Sequence, residues 1–415
     1  MKIWILNHYA SPPDRPAGTR HYEFGRILAE QGHDVTIFAS SFSHFSLMEE
    51  RLAENERMRV ENVDGVRFVW IRTVPYLRND NGRVRNMMSY AFGVILAQRC
   101  FARPDVVVGS SVHLAAVAAA YLISKARRVP FVFEVRDLWP QTLIDMGDLR
   151  EGAVTTRLLR MLERFFYRRA RMVISLLPHA TEYITRLGIP KEKVVYIPNG
   201  IADFTGAVAV TNGSASELVA RIRQLRDEGR MVAGYVGSHV RANRVDVLVE
   251  AARVLRDRDV DDIAFVIVGE GLEKDECERI AREHKLANIL FWPAVPKEAV
   301  PAVLEAVDVT LFALWDIPVF KFGLSCNKLF DYLASGRPVV SACAVADTPV
   351  SASGGGISVP PESPNAIADA LVGLAALGAA GRSAIGERGR RWVYENHGAT
   401  GLAGQFLQAL GRTQR

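Results

Sequence analysis

Serine, asparagine, lysine and aspartate stand close together in one stretch, Lys321–Ala342, which reads K-F-G-L-S-C-N-K-L-F-D-Y-L-A-S-G-R-P-V-V-S-A. Ser325, Asn327 and Lys328 fall where a helix would start. Leu329, Phe330, Leu333 and Ala334 repeat at helical spacing, and Gly336 with Pro338 marks the stop before a short strand. A helix start offers free backbone N–H groups and the positive end of the helix dipole. Lys328 adds a full charge, so the segment suits a phosphate. Asp331 lies one turn on, on the same face, which suits a ligand with phosphates at one end and hydroxyls at the other. A capped surface helix with an i, i+3 ion pair would leave the same trace.

Other polar groups cluster at the ends of apolar runs. After Ile3–Leu6 comes a loop with three prolines, in which Gly18 permits a close backbone approach before the next helix. It reads as a substrate loop, or as a rigid connection with Arg15 and Arg20 solvated. After Val106–Gly109 comes Ser110-Ser111-Val112-His113, where His113 opens a helix and could hydrogen-bond a ligand. Glu134, Arg136 and Asp137 crowd the end of Phe131–Glu134 just before Trp139-Pro140, and charges there must be paired or used. The open readings are use on a ligand and an internal Glu134–Arg136–Asp137 network. In the second half, Gly237 followed by Arg241 and Arg244 fits diphosphate binding, and Gly269-Glu270-Gly271 makes a tight turn near a ligand.

These groups need a scaffold that brings strand ends together. Strand signals at Ile3–Leu6, Val35–Ala39, Val66–Ile71, Val106–Gly109, Phe131–Glu134, Val173–Leu176 and Val194–Ile197 alternate with helical patterns. The same grammar restarts at Val232–Val236, Phe265–Val268, Ile289–Phe291, Val309–Phe312, Val339–Ser341 and Ile357–Val359. The spacing predicts an α/β protein with two doubly wound parallel sheets whose ligands sit beyond the carboxyl ends of the strands, in a shared cleft. The expected division is 1–203, 204–385 and a C-terminal helical segment 386–415 packing back on the first domain. The small, polar stretch Thr205–Ser216 reads as the linker.

A chain of 415 residues, 49% hydrophobic and 23% charged, is globular and too long for one core. A net charge of +5 is too small for a protein-wide nucleic-acid surface. Cys100, Cys277, Cys326 and Cys343 lack metal-ligand or disulfide spacing, so reduced thiols in a cytoplasmic protein are expected. The chain enters a strand pattern at once, without a signal-peptide pattern, and contains no uncharged apolar run of about 18 residues. Arg157–Arg171 is a basic amphipathic segment with Arg157, Arg160, Arg164 and Arg168 at helical spacing. It suits an anionic membrane surface, or a long helix whose apolar stripe packs on the sheet. Met87–Leu96, flanked by arginines, could supply a second contact.

The segments P-P-D-R-P-A-G-T-R-H-Y-E-F at Pro12–Phe24, F-V-F-E-V-R-D-L-W-P at Phe131–Pro140, I-P-N-G at Ile197–Gly200 and S-C-N-K-L-F-D-Y-L-A-S-G-R-P at Ser325–Pro338 together resemble the retaining glycosyltransferases of family 4, over essentially the whole chain. The likeness is greatest to the branch containing N-acetylfucosaminyl transferases of O-antigen and capsule assembly. It implies a GT-B architecture of two Rossmann-like domains. It also implies transfer from a UDP-sugar to a polyprenyl-diphosphate-linked saccharide at the cytoplasmic face of the membrane, with no metal or other cofactor and no nucleic-acid partner.

On this likeness Asp331 binds the nucleotide ribose, where the family usually has glutamate. Ser325, Asn327 and Lys328 hold the diphosphate and stabilise the leaving group. His113 contacts the donor sugar, Gly18 approaches the phosphate or the reacting face, and Glu134, Arg136 and Asp137 are the candidates for acceptor handling. Gly323 stands where the family has a glutamate, so Lys321 or another group would have to supply that contact. Ser238 and Asn243 replace an arginine and a lysine, for which Arg241 or Arg244 would compensate, and Cys326 replaces a proline. The rival readings are a UDP-sugar 2-epimerase, a glycosyltransferase acting on a soluble acceptor, and a two-lobed sugar-binding protein. A nicotinamide dehydrogenase is disfavoured, because neither half opens with G-x-G-x-x-G.

Overall fold

The structure is a computed structural model that describes every residue except 14–17, 45, 78–80, 112, 203–212, 346 and 415. Its contacts divide the chain into two compact units. One comprises Met1–Asn199, Phe322–Ser325 and Ala399–Arg415, the other Gly200–Lys321 and Cys326–Gly398.

The first unit holds β1 (Lys2–Leu6), β2 (Asp34–Ser40), β3 (Met58–Val63), β4 (Val66–Ile71), β5 (Val106–Ser111), β6 (Phe131–Val135), β7 (Met172–Ser175) and β8 (Val194–Tyr196). They form one sheet in the order β3-β4-β2-β1-β5-β6-β7-β8. All neighbours are parallel except the β3–β4 hairpin, which turns at Asp64-Gly65. The apolar runs named from the sequence became strands because parallel strands are covered on both faces. β3 was not foreseen. Its residues M-R-V-E-N-V lie half in solvent at the sheet edge, so they carry no continuous apolar run.

The second unit holds β9 (Met231–Val236), β10 (Ile263–Val268), β11 (Ile289–Trp292), β12 (Val309–Ala313), β13 (Val339–Ala342) and β14 (Gly356–Val359). This all-parallel sheet has the order β11-β10-β9-β12-β13-β14. Each sheet reverses its winding at one place, between β1 and β5 and between β9 and β12. Loops diverge there and leave a crevice at the strand ends.

The expected boundary at 203/204 lies outside the described residues, as does most of the expected linker. Ser214–Ser216 are not linker but the first turn of helix Ser214–Asp227. The C-terminal segment divides differently from the expectation. Helix Gly378–His397 belongs to the second unit, whereas helix Ala399–Arg412 packs on helix Arg20–Glu30 in the first, with the Phe24 and Phe406 rings 5.6 Å apart. No single helix among the described residues is long and apolar enough to cross a membrane.

Candidate active site

In the second unit the start of helix Asn327–Ala334 lies beside the loop after β9. Leu329, Phe330, Tyr332 and Leu333 bury one face of the helix. The Tyr332 hydroxyl donates to the Val236 carbonyl and accepts from the Val236 N–H, both at 2.9 Å, which fixes the helix against the end of β9. Cys326 at the N-cap offers no side-chain cap, and of the first-turn N–H groups only that of Leu329, 3.1 Å from the Cys326 carbonyl, has an acceptor among the described residues. Lys328 Nζ donates to the Tyr235 hydroxyl at 3.2 Å and lies 5.0 Å from the Tyr235 ring centroid. The Tyr235 hydroxyl in turn donates to the Ser238 carbonyl at 2.8 Å. Burial pushes the Lys328 ammonium down to about 8. Lys328 turns to Tyr235 and forms no ion pair with Asp331, which is exposed on the same helix, as is Asn327. The plain capped-helix reading therefore fails at both its cap and its ion pair.

The glycines of this unit shape the loop. A Cβ on Gly269 (φ +148°) would stand 1.9 Å from the Gly237 carbonyl oxygen, and one on Gly271 (φ +153°) 2.3 Å from that of His239. Gly269 and Gly271 therefore pack backbone on backbone against Gly237–His239, and the loop, rather than the Gly-x-Gly turn, borders the Lys328 ammonium. Asn243 Nδ2 donates to the Ser238 carbonyl at 2.7 Å and closes the same loop. Arg241 lies over Trp315, 4.3 Å from its ring centroid, and is otherwise exposed. The proposed compensation by Arg244 is corrected: its guanidinium is held by Asp246 at 2.8 Å and by Glu362, so its charge is already spent within the protein.

In the first unit the expected acceptor-handling group Glu134 is also corrected. It is fully buried in β6. Oε1 accepts from Arg20 Nε at 3.0 Å, and Oε2 accepts from His21 Nε2 and Ser110 Oγ, each at 2.7 Å. Arg20, which the rigid-connection reading would leave in solvent, is buried and also donates to the carbonyls of Ile197 (2.9 Å) and Pro198. Burial alone would raise the Glu134 carboxyl, but the Arg20 charge and the hydrogen bonds donated by His21 and Ser110 outweigh it and hold the group below the usual carboxylate range. Asn7 Oδ1 accepts from the Tyr9 N–H, which turns Nδ2 toward His21 Nδ1 at 2.9 Å. His21 therefore accepts at Nδ1 and donates from Nε2 as a neutral imidazole, in keeping with the burial that lowers its pKa. The alternative Glu134–Arg136–Asp137 network does not form. Arg136 lies against the chain at Gly18, where a Cβ would stand 3.0 Å from Nη2, and Asp137 is exposed.

His113 is likewise occupied. As N-cap of helix Leu114–Arg127 it accepts the Ala116 N–H at Nδ1 (3.3 Å), and its Nε2 faces His8 Nδ1 at 2.9 Å. Burial, with a smaller effect of Arg83, holds His113 at about 3, so it is neutral and donates from Nε2. Both ring nitrogens thus have protein partners, and the donor-sugar contact implied by the likeness is not available in this arrangement. His8 is itself buried between the Tyr9 and Tyr90 rings, each 4.5 Å away. The sequence reading passed over His8, Asn7, His21 and Tyr235. Only their places at strand ends or on the first turn of a following helix could have marked them.

Ser325 belongs to the first unit. Its Oγ accepts from the Asn199 N–H at 3.4 Å and its carbonyl from Asn199 Nδ2 at 2.9 Å, so I-P-N-G and the Ser325 stretch are joined. Gly323 (φ +99°) could carry no side chain, since a Cβ would stand 2.4 Å from the Pro178 ring. The carboxylate that the likeness would place at that position thus has no room beside Pro178. No group of three or more His, Cys, Asp or Glu side chains able to hold a metal occurs among the described residues.

The basic helix is Val154–Arg169, and its outward face differs from the expected one. Val154 (81% exposed), Leu158, Met161 (61%) and Phe165 form an exposed apolar stripe. At 100° per residue, Arg157 and Arg168 flank it on one side and Arg169 on the other. Arg160 and Arg164 do not. Arg160 bonds Glu151 and Gln141, and Arg164 the Leu187 carbonyl. Helix Asn81–Ala97 exposes a second stripe, Val84, Met88, Phe92 (65%) and Leu96. Both helices pack on helix Leu114–Arg127, which exposes Leu122.

Residues 17–200 match the family model described as a Glycosyl transferase 4-like domain, and residues 230–376 the model described as Glycosyl transferases group 1. The chain is 25% identical over 321 residues to WcaI of Escherichia coli (strain K12), named as a colanic acid biosynthesis glycosyl transferase, with 75% of this chain and 76% of that protein covered. Among solved structures it is similar to a sucrose-phosphate synthase from Thermosynechococcus elongatus (TM-score 0.72, 18% identity, 99% and 98% of the two chains covered). It is also similar to Alr3699/HepE of Anabaena, solved with UDP-glucose (TM-score 0.66, 14% identity, 99% and 100% covered). With family matches in both units and a parallel sheet in each, the chain belongs to the glycosyltransferases of the GT-B fold, with a family 4-like first half and a group 1 second half.

Proposed function

We propose that the protein is a retaining glycosyltransferase that moves a sugar, of the N-acetylamino or deoxy hexose class, from a UDP-sugar to a polyprenyl-diphosphate-linked saccharide in surface polysaccharide biosynthesis. The observation that carries this reading is Lys328. It is a half-buried ammonium at an uncapped helix start, beside the Gly237 loop, and it meets a phenol and ring faces but no carboxylate among the described residues. That arrangement suits the two phosphates of a nucleotide, and Asp331, one turn on, suits a ribose diol. The name of WcaI and the UDP-glucose bound to Alr3699/HepE support the pathway class and the donor.

In this mechanism the anomeric carbon–oxygen bond breaks with its electron pair passing to the UDP diphosphate. Lys328 and the first-turn N–H groups stabilise the growing charge. The acceptor hydroxyl attacks from the same face and gives its proton to the leaving phosphate oxygen. Arg136 and Asp137 remain the groups proposed for acceptor handling. The two exposed stripes, edged by Arg85, Arg99, Arg157, Arg168 and Arg169, would hold the first unit on an anionic cytoplasmic membrane surface, where lipid-linked acceptors lie.

A thermal-shift screen of nucleoside diphosphates and UDP-sugars tests the donor, since a ligand of the native state raises the melting temperature. UDP is expected to shift it; a shift by GDP or ADP without one by UDP rejects the donor. Product analysis with lipid-linked and soluble acceptors tests the rest. Turnover confined to a soluble acceptor, or epimer formed from UDP-sugar alone, replaces the proposed reaction.

A further inference from the structure

A cavity of about 610 Å³ opens in the first unit where helices Leu114–Arg127 and Val154–Arg169 both end. It lies at the amino ends of β6 and β7, the opposite end of the sheet from Glu134 and His113. Lys125, Arg168, Arg169, Arg171 and Lys193 line it against a single carboxylate, Glu192. None of the five cations is paired with a carboxylate among the described residues. Lys193 Nζ donates to the Arg168 carbonyl at 2.8 Å, and burial together with the nearby Arg171 lowers its pKa. Cations drawn together without counter-charge repel one another, and an anion relieves them.

The cavity adjoins the apolar stripe. Tyr121, in its wall, meets the Phe165 ring edge-on at 5.3 Å, and the Arg169 guanidinium lies 5.3 Å from the same ring. Phe165 is the last member of the Val154–Leu158–Met161 stripe, and exposed Leu122 neighbours Tyr121. An open basic recess beside exposed apolar side chains matches a phosphate joined to acyl chains.

We infer that this cavity seats the headgroup phosphate of an anionic phospholipid, with Arg171 and Lys193 among its contacts and the apolar stripe against the acyl layer. The inference rests on the membrane reading above and adds a specific lipid site to it. Arginine offers a paired N–H fork to phosphate oxygens and lysine a point charge.

The test is co-sedimentation with vesicles of phosphatidylcholine alone and of equal parts phosphatidylcholine and phosphatidylglycerol. It uses the full-length protein, Arg171→Gln/Lys193→Gln, and Arg85→Gln/Arg99→Gln. Both pairs remove the same charge from the first unit, but only the first touches the cavity. Wild type should bind the anionic vesicles, and the cavity pair should lose about tenfold more affinity than the control pair, since it removes fixed contacts as well as charge. Equal losses overturn the site and leave diffuse attraction. A lowered melting temperature with unchanged binding also overturns it, because the cations then serve only the helix C-termini. If the first pair unfolds, Lys125→Gln/Arg171→Gln gives the same comparison. Wild type that binds inorganic phosphate but no vesicle gives the cavity to a soluble anion and rejects both this inference and the membrane reading. Wild type that binds vesicles as well as its cavity variant rejects the cavity alone.

Discussion

Glu134 in the first unit and Lys328 in the second are both charged groups near the carboxyl end of a buried strand, yet their surroundings are opposite. Glu134 is met by Arg20, His21 and Ser110, and every one of those contacts is internal. Lys328 has a tyrosine hydroxyl and two aromatic faces, and no carboxylate partner among the described residues. A buried charge with all its partners holds a fold together; a sheltered charge without one is available to a ligand. Composition does not separate the two. E-V-R-D and S-C-N-K both look like concentrated polar chemistry at a strand or helix end.

The largest effect that would break this comparison is in the first unit. Glu134→Ala leaves Arg20 and His21 buried without their partner and should cost about 3–5 kcal/mol of stability. Denaturant unfolding measures it; a loss below about 1 kcal/mol would return Glu134 to the candidate catalytic groups. Next comes Lys328→Ala, which should reduce turnover on the order of 100-fold with little change in melting temperature. Wild-type turnover in that variant would remove its phosphate role.

Two pH effects are smaller. Because Lys328 is held at about 8, its charge is present below that pH and lost above it. UDP affinity should therefore fall as pH rises through about 8 and stay flat in Lys328→Arg, as titration calorimetry would show. Glu163, buried in helix Val154–Arg169, is pushed up to about 8 by desolvation, and its Oε1 has no hydrogen-bond partner. A folded-state pKa raised above the unfolded value gives stability that is full below the unfolded pKa, about 4.3, and is lost as pH rises through the folded one. The melting temperature should thus fall between mildly acidic pH and pH 8, and Glu163→Gln should flatten that slope. The smallest expected change is from Arg244→Ala, whose charge is taken by Asp246 and Glu362. UDP affinity should move by less than about threefold, within the range of surface substitutions, and a larger loss would reassign that arginine to the ligand.

Much of the architecture was legible in the residues. Thirteen of the strands stand where apolar runs end in turn residues, because parallel strands covered on both faces must be apolar throughout. β3 escaped because an edge strand is half solvated. Lys328 was legible as well, since a helix start with a lysine is a local pattern. The sequence by itself thus determined two doubly wound units and a helix start carrying Lys328, features set by local periodicity and backbone chemistry. Tertiary structure alone decided which charges were already spent. Arg20 meets Glu134 across more than a hundred residues, His113 meets His8, and Pro178 closes the space at Gly323. Such pairings depend on which strand ends the sheet order brings together, and no spacing within one segment encodes that.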